Sequence, residues 1–311
     1  MPAPEISVLI PVGERYDDTE ALYFEYKASL DASGRSYEII YILDGERGGV
    51  MPALEALVGA GEPVVVLQLG RAFGEATALT AGFERAQGSV IVTLPAYYQI
   101  EASEIPGLLE EQAECDMVIT RRWPRRGSGL STLRRSLFHR LVAWMTRERF
   151  DDLGCNVRVF GAEVLEEISI YGDQHRFLPV LAAKQGFSVR QIDVKQSPKD
   201  EFRGAYRLRE YAHRMLDILT VFFLMRFTKK PLRFFGMLGT ITFLAGLIYL
   251  LVLVVQKLVF ATALGDRPAL LLSSLLIVVG LQLFALGLLG ELIIFTHARE
   301  LKEYKIDRII N

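Results

Sequence analysis

The sequence predicts an α/β fold, a mostly parallel sheet with helices on both faces, followed by two transmembrane helices. In the first part of the chain, short β-rich apolar runs alternate with helical patterns, which is typical of a parallel sheet. Near the C-terminus, two apolar runs are each long enough to cross the hydrocarbon layer of a bilayer. The chain has 311 residues and a formal net charge of -2, so it has ample core and no overall field that attracts nucleic acid.

Five strands and four helices follow from these patterns. We predict strands at residues 6–12, 38–43, 64–69, 90–94 and 117–120, and helices at 19–33, 51–58, 74–86 and 105–112. Ligands of such sheets bind beyond the carboxyl ends of the strands, so the segments to inspect are 11–15, 44–47, 71–74, 95–99 and 121–126. Neither a P-loop nor a G-x-G-x-x-G pattern is present, which argues against a P-loop NTPase and a standard dinucleotide enzyme.

Cysteine usage and the start of the chain indicate the compartment. Cys115 and Cys155 suggest neither a disulfide framework nor a zinc site, so a reducing compartment is the default. The chain enters an apolar strand at Ile6 without the basic and apolar segments of a signal peptide, and we expect none.

Two segments have the pattern of helices that lie at a membrane surface. Ser131 can cap a helix that carries leucines and Trp144 along one side, where Arg134 would snorkel or meet a phosphate. Residues 208–227 form a second amphipathic pattern that leads to the first apolar run. For the first segment, an ordinary core helix is the alternative.

The two predicted spans are residues 234–255 and 270–294. A buried pair of core helices is the alternative, but two such runs side by side would need an even larger core around them. Lysine and arginine flank the outer ends of the pair and are fewer in the connector, so the positive-inside rule predicts both ends in the cytoplasm. Glu291, near the cytoplasmic end of the second span, is expected to have a structural role.

A series of short motifs runs through the whole chain in a characteristic order. They lie at residues 7–12, 37–45, 69–74, 78–82, 152–158 and 230–233, and at 289–291 in the second span. In this order they resemble family 2 glycosyltransferases of the GT-A fold. Within that family they resemble the enzymes that load a sugar onto a polyprenyl phosphate, such as dolichol-phosphate mannose synthase, bactoprenol glucosyltransferase and undecaprenyl-phosphate aminoarabinose transferase.

The resemblance implies a role for particular residues. Those implied at the nucleotide are Pro11, Val12, Glu14, Asp44, Gly45, Arg71 and Gln99. The implied catalytic set is Asp152, Arg158, Arg122 and Arg125, the first two from a motif on the acceptor side and the arginines from a basic loop that meets phosphates. Those implied at the acceptor phosphate or lipid are Arg121, Arg126, Arg134, Arg203 and Tyr206. The arginines of the loop could instead only hold lipid headgroups.

The metal motif of the resembled family is altered in this sequence. The resemblance implies Mg²⁺ or Mn²⁺ at an Asp-x-Asp motif after the fourth strand, where this chain has Pro95 and Tyr97. Leu43 likewise stands where the first of two paired aspartates is usual, and Asp44 remains. Hard cations prefer carboxylate oxygens, so we predict no metal ligands here and neutralisation of the leaving diphosphate by arginine.

The resemblance therefore implies a membrane-bound glycosyltransferase. It implies transfer of a sugar from a nucleotide-sugar donor, with a UDP-sugar favoured, to a polyprenyl phosphate on the cytoplasmic leaflet of the inner membrane. The expected domains are a cytoplasmic GT-A-like domain at 1–206, a juxtamembrane helix at 207–233, a two-helix anchor at 234–295 and a cytoplasmic tail at 296–311. A homo-oligomer is plausible from the family. The altered metal motif also favours an alternative, a catalytically inactive relative that acts as a scaffold or regulator, and a nucleotide-binding membrane sensor is a third reading.

Overall fold

The alternation of strands and helices folds into a single sheet in the computed structural model, which describes residues 3–124, 150–168, 174–200, 231–260 and 268–297. Its strands are β1 (Ile6–Val12), β2 (Tyr37–Leu43), β3 (Val64–Gln68), β4 (Val90–Thr93), β5 (Met117–Arg122), β6 (Arg158–Gly161) and β7 (Val189–Val194). Within the described residues, the strand order is β3-β2-β1-β4-β6-β5-β7. β6 is antiparallel to β4 and β5, and the other pairs are parallel, as the prediction of a mostly parallel sheet required.

The helices of this unit are α1 (Thr19–Ala32), α2 (Met51–Gly59), α3 (Glu75–Arg85), α4 (Ile105–Gln112), α5 (Glu163–Glu167) and α6 (Leu178–Gln185). They cover both faces of the sheet. The alternate β1 residues that include Val8 and Ile10 lie in one core with Tyr23 and Leu30 of α1. On the opposite face, a Cβ at Gly82 of α3 would lie 2.7 Å from Ile42 and 3.3 Å from Leu9, so the missing side chain lets α3 pack close to the sheet.

The five predicted strands and four predicted helices are confirmed, with one difference that affects the site. β5 continues through Arg121 and Arg122, which pair in register with Asp193 and Val194 of β7. The sequence predicts that this strand ends at Thr120, and the resemblance places both arginines in a basic loop after it. Pairing with β7 on the far side extends the strand past that point.

A second unit contains two long apolar helices, α7 (Pro231–Phe260) and α8 (Pro268–His297). By length and composition, both could cross a membrane over 29 residues each. Many of their large apolar side chains are exposed, including Ile248 and Leu281, which is the opposite of what a pair of buried core helices would show. The exposed apolar surface is therefore suited to lipid.

Glycines bring the two apolar helices close together. A Cβ at Gly239 would lie 2.6 Å from the Gly280 carbonyl oxygen, and one at Gly280 would lie 2.5 Å from the Phe243 backbone nitrogen. Small residues at such contacts let helix backbones approach within a membrane. At the start of α7, the backbone N–H of Leu232 donates to Glu291 Oε2 at 3.4 Å, so the acid of α8 caps an N–H group in the first turn of α7. This contact agrees with the structural role expected for Glu291.

Candidate functional site

The carboxyl ends of β1, β2, β4 and β5 meet at one edge of the sheet, where the candidate residues gather. Asp44, directly after β2, is buried and accepts hydrogen bonds through Oδ1 from the backbone N–H groups of Phe73 at 2.6 Å and Gly74 at 3.2 Å. It thereby fixes the loop that enters α3. Gly45 has φ +84°, and a Cβ there would lie 2.8 Å from the Ala72 backbone nitrogen. Asp44 and Gly45 therefore hold that loop, and the nucleotide contact that the resemblance implies for them stays a prediction.

The loop after β4 is fixed at both ends by hydrogen bonds. The Pro95 carbonyl accepts from the Tyr26 hydroxyl at 3.0 Å, and the Ala96 carbonyl accepts from the Asp17 backbone N–H at 2.9 Å. Farther along, the buried Gln99 accepts from the Asn156 backbone N–H at 2.8 Å through Oε1. Gln99 thus joins the loop after β4 to the segment that contains Asp152, and its nucleotide-binding role stays a prediction.

Arg122 lies inside the site with two carboxylates. Its Nε and Nη2 donate to Asp152 at 2.8 and 3.0 Å, and its Nη1 lies 3.6 Å from Asp200. The side chains of Arg122 and Asp152 are only 6% and 3% exposed. Burial alone lowers the pKa of Arg122, but the Asp152 hydrogen bond and the electrostatic effects of Cys155, Asp152 and Asp200 together outweigh it and hold the pKa above the ordinary value. Arg122 and Asp152, both placed in the catalytic set by resemblance, are therefore brought together.

Arg121 points to the opposite side of β5 and is also paired twice. It donates to Asp193 at 2.5 and 2.6 Å and to Asp151 at 2.7 Å. The hydrogen bonds to Asp193, more than the one to Asp151, raise the pKa of Arg121. Its predicted role at the acceptor phosphate would require that phosphate to compete with two carboxylates.

Arg15 is a site residue that the sequence analysis missed, although it lies at the end of an inspected segment. Its guanidinium carbon lies 3.8 Å from the centre of the Tyr97 ring, and its Nη2 donates to Asp200 at 2.9 Å. The Asp200 side chain is 3% exposed and also accepts from Gln196 at 2.7 Å. Arg15 and Asp200 are 185 positions apart, so no local pattern could have indicated the contact.

A second polar cluster surrounds Arg158 beneath the start of α3. Glu75 accepts from Asn156 Nδ2 at 2.9 Å, and its Oε2 lies 3.1 Å from His175 Nε2. The buried Arg158 donates to the carbonyl oxygens of His175 and Arg176. Burial lowers the pKa of Arg158 to about 10, against the opposing effect of Glu75. Residues of this cluster line a small cavity together with Pro11 and Thr93.

The remaining predicted residues are in different places. Pro11 and Val12 are buried at the end of β1, whereas Glu14 and Arg71 are exposed, with Arg71 4.8 Å from the Phe73 ring centre. Both amphipathic segments lie outside the described residues. So do five predicted site residues, which are Arg125, Arg126, Arg134, Arg203 and Tyr206.

The described residues offer no suitable ligand set for a divalent cation after β4. They contain no group of three or more His, Cys, Asp or Glu that could hold a metal ion. Pro95 and Tyr97 carry no carboxylate, and the carbonyl oxygens of Pro95 and Ala96 already accept hydrogen bonds. Asp44 is occupied by backbone N–H groups. Since Mg²⁺ and Mn²⁺ prefer carboxylate and carbonyl oxygens, the residues at this edge do not fit such a metal.

Comparison with known proteins covers both units. Residues 7–168 match the domain described as glycosyl transferase family 2, and residues 230–294 match the one described as GtrB C-terminal hairpin. An undecaprenyl-phosphate 4-deoxy-4-formamido-L-arabinose transferase of Shewanella sediminis is 31% identical over 98% of this chain and 92% of its own length. A dodecaprenyl-phosphate galacturonate synthase of Rhizobium johnstonii is 26% identical, over 95% of this chain and 89% of its own length.

Solved structures share the fold at low identity. Mannosyl-3-phosphoglycerate synthase from Rubrobacter xylanophilus aligns with a TM-score of 0.52 at 15% identity, over 73% of this chain and 75% of that one. Glucosyl-3-phosphoglycerate synthase from Mycobacterium tuberculosis, solved with Mn²⁺ and UDP-glucose, aligns with a TM-score of 0.51 at 15% identity, over 70% of this chain and 79% of that one. These likenesses bear on the fold alone.

Proposed function

The chain belongs to glycosyl transferase family 2, and we propose that it transfers a sugar from a nucleotide-sugar donor to a polyprenyl phosphate at the cytoplasmic face of a membrane. One observation carries the proposal. Relatives named for transfer to undecaprenyl phosphate or for synthesis of a dodecaprenyl-phosphate sugar align over the catalytic domain and the apolar hairpin together. The sheet has the GT-A fold, and the two apolar helices are suited to the membrane in which such an acceptor lies.

The chemistry of this transfer makes few demands on a catalytic base. A lipid phosphate monoester has a second pKa of about 6, by analogy with phosphorylated side chains, so it is already an anionic nucleophile at neutral pH. Its oxygen attacks the anomeric carbon, the bond to the nucleoside diphosphate breaks with inversion, and the diphosphate leaves with the bonding electrons. Stabilising that leaving charge is the main task of the protein.

The finer assignments are part of the same proposal. We assign the catalytic domain to residues 1–206, the juxtamembrane helix to 207–233, the anchor to 234–295 and a cytoplasmic tail to 296–311. Lysine and arginine around the spans support a multi-pass protein of the inner membrane with its catalytic domain in the cytoplasm. A UDP-sugar is the favoured donor, and a homo-oligomer is included by family resemblance.

Transfer by the purified full-length protein tests the proposal. A panel of nucleotide sugars is offered with a short-chain polyprenyl phosphate, once with Mn²⁺ and once with excess EDTA. We expect transfer from at least one donor, and EDTA should reduce the rate by less than about tenfold, or 1.4 kcal/mol. Absence of transfer from every common donor would instead favour the inactive scaffold.

A further inference from the structure

The environment of Arg15 differs from that of Arg121 and Arg122, the two arginines at the end of β5. Arg121 pairs with Asp151 and Asp193, and Arg122 is enclosed by Asp152 and Asp200. Arg15 shares Asp200 and keeps 40% of its side chain exposed. Its cationic group is therefore more accessible than the buried guanidinium of Arg122.

Tyr97 holds the Arg15 guanidinium in place without consuming its donors. The guanidinium carbon lies 3.8 Å from the ring centre, within the range of a cation–π contact. Stacking uses the face of the guanidinium, so its five in-plane N–H donors stay available. Within the described part of the chain, Arg15 donates through Nη2 to Asp200. The Arg15 guanidinium is therefore a preorganised cation whose other N–H groups can donate to a ligand.

Arg15 is the exposed cation of a group of four charged side chains. Arg15 and Arg122 carry two positive charges, and Asp152 and Asp200 carry two negative charges, so this group has no net negative charge that would repel an anion at Arg15. Arg15 forms its exposed side and follows β1, at the edge where ligands of parallel sheets bind. Arginine binds phosphate oxygens in a planar two-point contact.

We infer that Arg15, stacked on Tyr97, binds a phosphate oxyanion of a substrate and supplies positive charge where the residues after β4 fit no metal. Arg15 follows the end of β1, which the resemblance assigns to nucleotide binding. We therefore assign the oxyanion to the donor diphosphate. This inference rests on the proposed function and adds a residue to it. As the diphosphate departs, Arg15 neutralises the growing charge.

The test measures binding of UDP and GDP to the full-length protein in EDTA. Uridine and guanosine serve as probes without phosphate. A short polyprenyl phosphate tests the acceptor as the other source of phosphate. For the diphosphate that wild type binds, Arg15→Ala should weaken affinity about tenfold or more, and Arg15→Lys should restore part. Nucleoside affinity should not change. Arg35→Ala is the matched control, since Arg35 is also partly exposed and pairs with one carboxylate, Glu5, before β2.

Two further variants should have opposite effects on diphosphate binding. Asp200→Asn removes one negative charge beside Arg15, so it should tighten diphosphate binding. Tyr97→Leu removes the aromatic ring on which Arg15 stacks and should weaken diphosphate binding. Each variant is first compared with wild type in thermal unfolding.

The outcomes distinguish a failure of this inference from a failure of the proposed function. Unchanged diphosphate affinity and turnover in Arg15→Ala, with transfer intact, would overturn the inference and leave the proposed function standing. Loss of polyprenyl phosphate binding alone would keep the phosphate site and overturn its assignment to the donor. Neither transfer nor nucleotide binding by wild type would overturn both.

Discussion

The Arg122 guanidinium and the Asp152 carboxylate form a buried two-point ion pair, with Nε 2.8 Å from Oδ2 and Nη2 3.0 Å from Oδ1. Arg122 comes from the end of β5 and Asp152 from the segment before β6, so the pair joins two parts of the chain at the candidate site. A charge in such a place costs much more to leave unpaired than an exposed one.

Arg122→Ala should therefore destabilise the catalytic domain as well as impair transfer. Its loss leaves Asp152 buried without its two-point partner, and we expect a decrease of about 3–5 kcal/mol in the free energy of unfolding. Denaturant unfolding of the full-length protein in detergent measures it. A double variant, Arg122→Met with Asp152→Leu, should recover most of the stability without recovering transfer. A stable but inactive Arg122→Ala protein would contradict the predicted loss of stability and indicate a purely catalytic role for Arg122.

Arg121→Ala is the matched comparison at the neighbouring position of the same strand. Its side chain is 32% exposed, and exposed ion pairs contribute little because water screens them. We expect a loss of less than about 1 kcal/mol in the same unfolding measurement. A cost equal to that of Arg122→Ala would show that Arg121 stabilises more than its exposure indicates.

Acidification should weaken the Glu75–His175 contact. Burial of Glu75 raises the pKa of its carboxyl, but the close contact with His175 at 3.1 Å and the charges of Arg176 and Arg158 together outweigh it and hold the pKa below the ordinary value of 4.5. A carboxyl with a depressed pKa contributes stability that is present above its ordinary pKa and is lost as the pH falls through the folded value. Wild type should thus lose more thermal stability below pH 4.5 than Glu75→Gln does. Parallel curves for the two proteins would contradict this assignment.

Gly239→Leu should disrupt the pair of apolar helices. The new side chain would meet the Gly280 carbonyl oxygen, which is 2.6 Å from the position of a Cβ, and backbone cannot move aside as a flexible side chain can. Overpacking of this kind costs about 1–3 kcal/mol or more. Ala245→Leu, at an exposed position of the same helix, is the control. Fluorescence-detected size exclusion in mild detergent should show a smaller monodisperse fraction for Gly239→Leu alone.

A reporter fused to Asn311 should give a cytoplasmic signal. Arg226, Lys229 and Lys230 precede the first span, and further basic residues follow the second, so the positive-inside rule predicts both flanks on the cytoplasmic side. An extracytoplasmic signal would overturn the topology and the proposed access of a cytoplasmic donor.

The sequence was sufficient for the first five strands because each is a compact apolar run bounded by turn residues. It was not sufficient for β6 and β7. β6 has only the four residues Arg158–Gly161, and β7 is an edge strand whose polar Arg190, Gln191 and Asp193 interrupt any apolar run. Only the pairing of β7 with β5 makes that segment a strand, and this depends on residues far away in the chain.

The candidate site shows the same limit. Motif positions led to Asp152 and Arg122 but not to their pairing, because the carboxylate that each arginine meets is decided by the folded sheet. Arg15 and Glu75 were missed since a lone arginine or glutamate has no distinctive local pattern. The replacement of carboxylates by Pro95 and Tyr97 was visible in the sequence, whereas the guanidinium stacked on Tyr97 was not.

The contact between Glu291 and the Leu232 backbone N–H has a consequence for biogenesis. The acid lies near the end of α8, and the amide that it caps lies in the first turn of α7. An acid that enters a bilayer without a partner is costly, and a helix start without a cap is left with unsatisfied N–H groups. Each segment thus lowers the insertion cost of the other. The translocon should accordingly release the two segments into lipid as one hairpin, and a chain truncated before Glu291 should be retained longer or degraded.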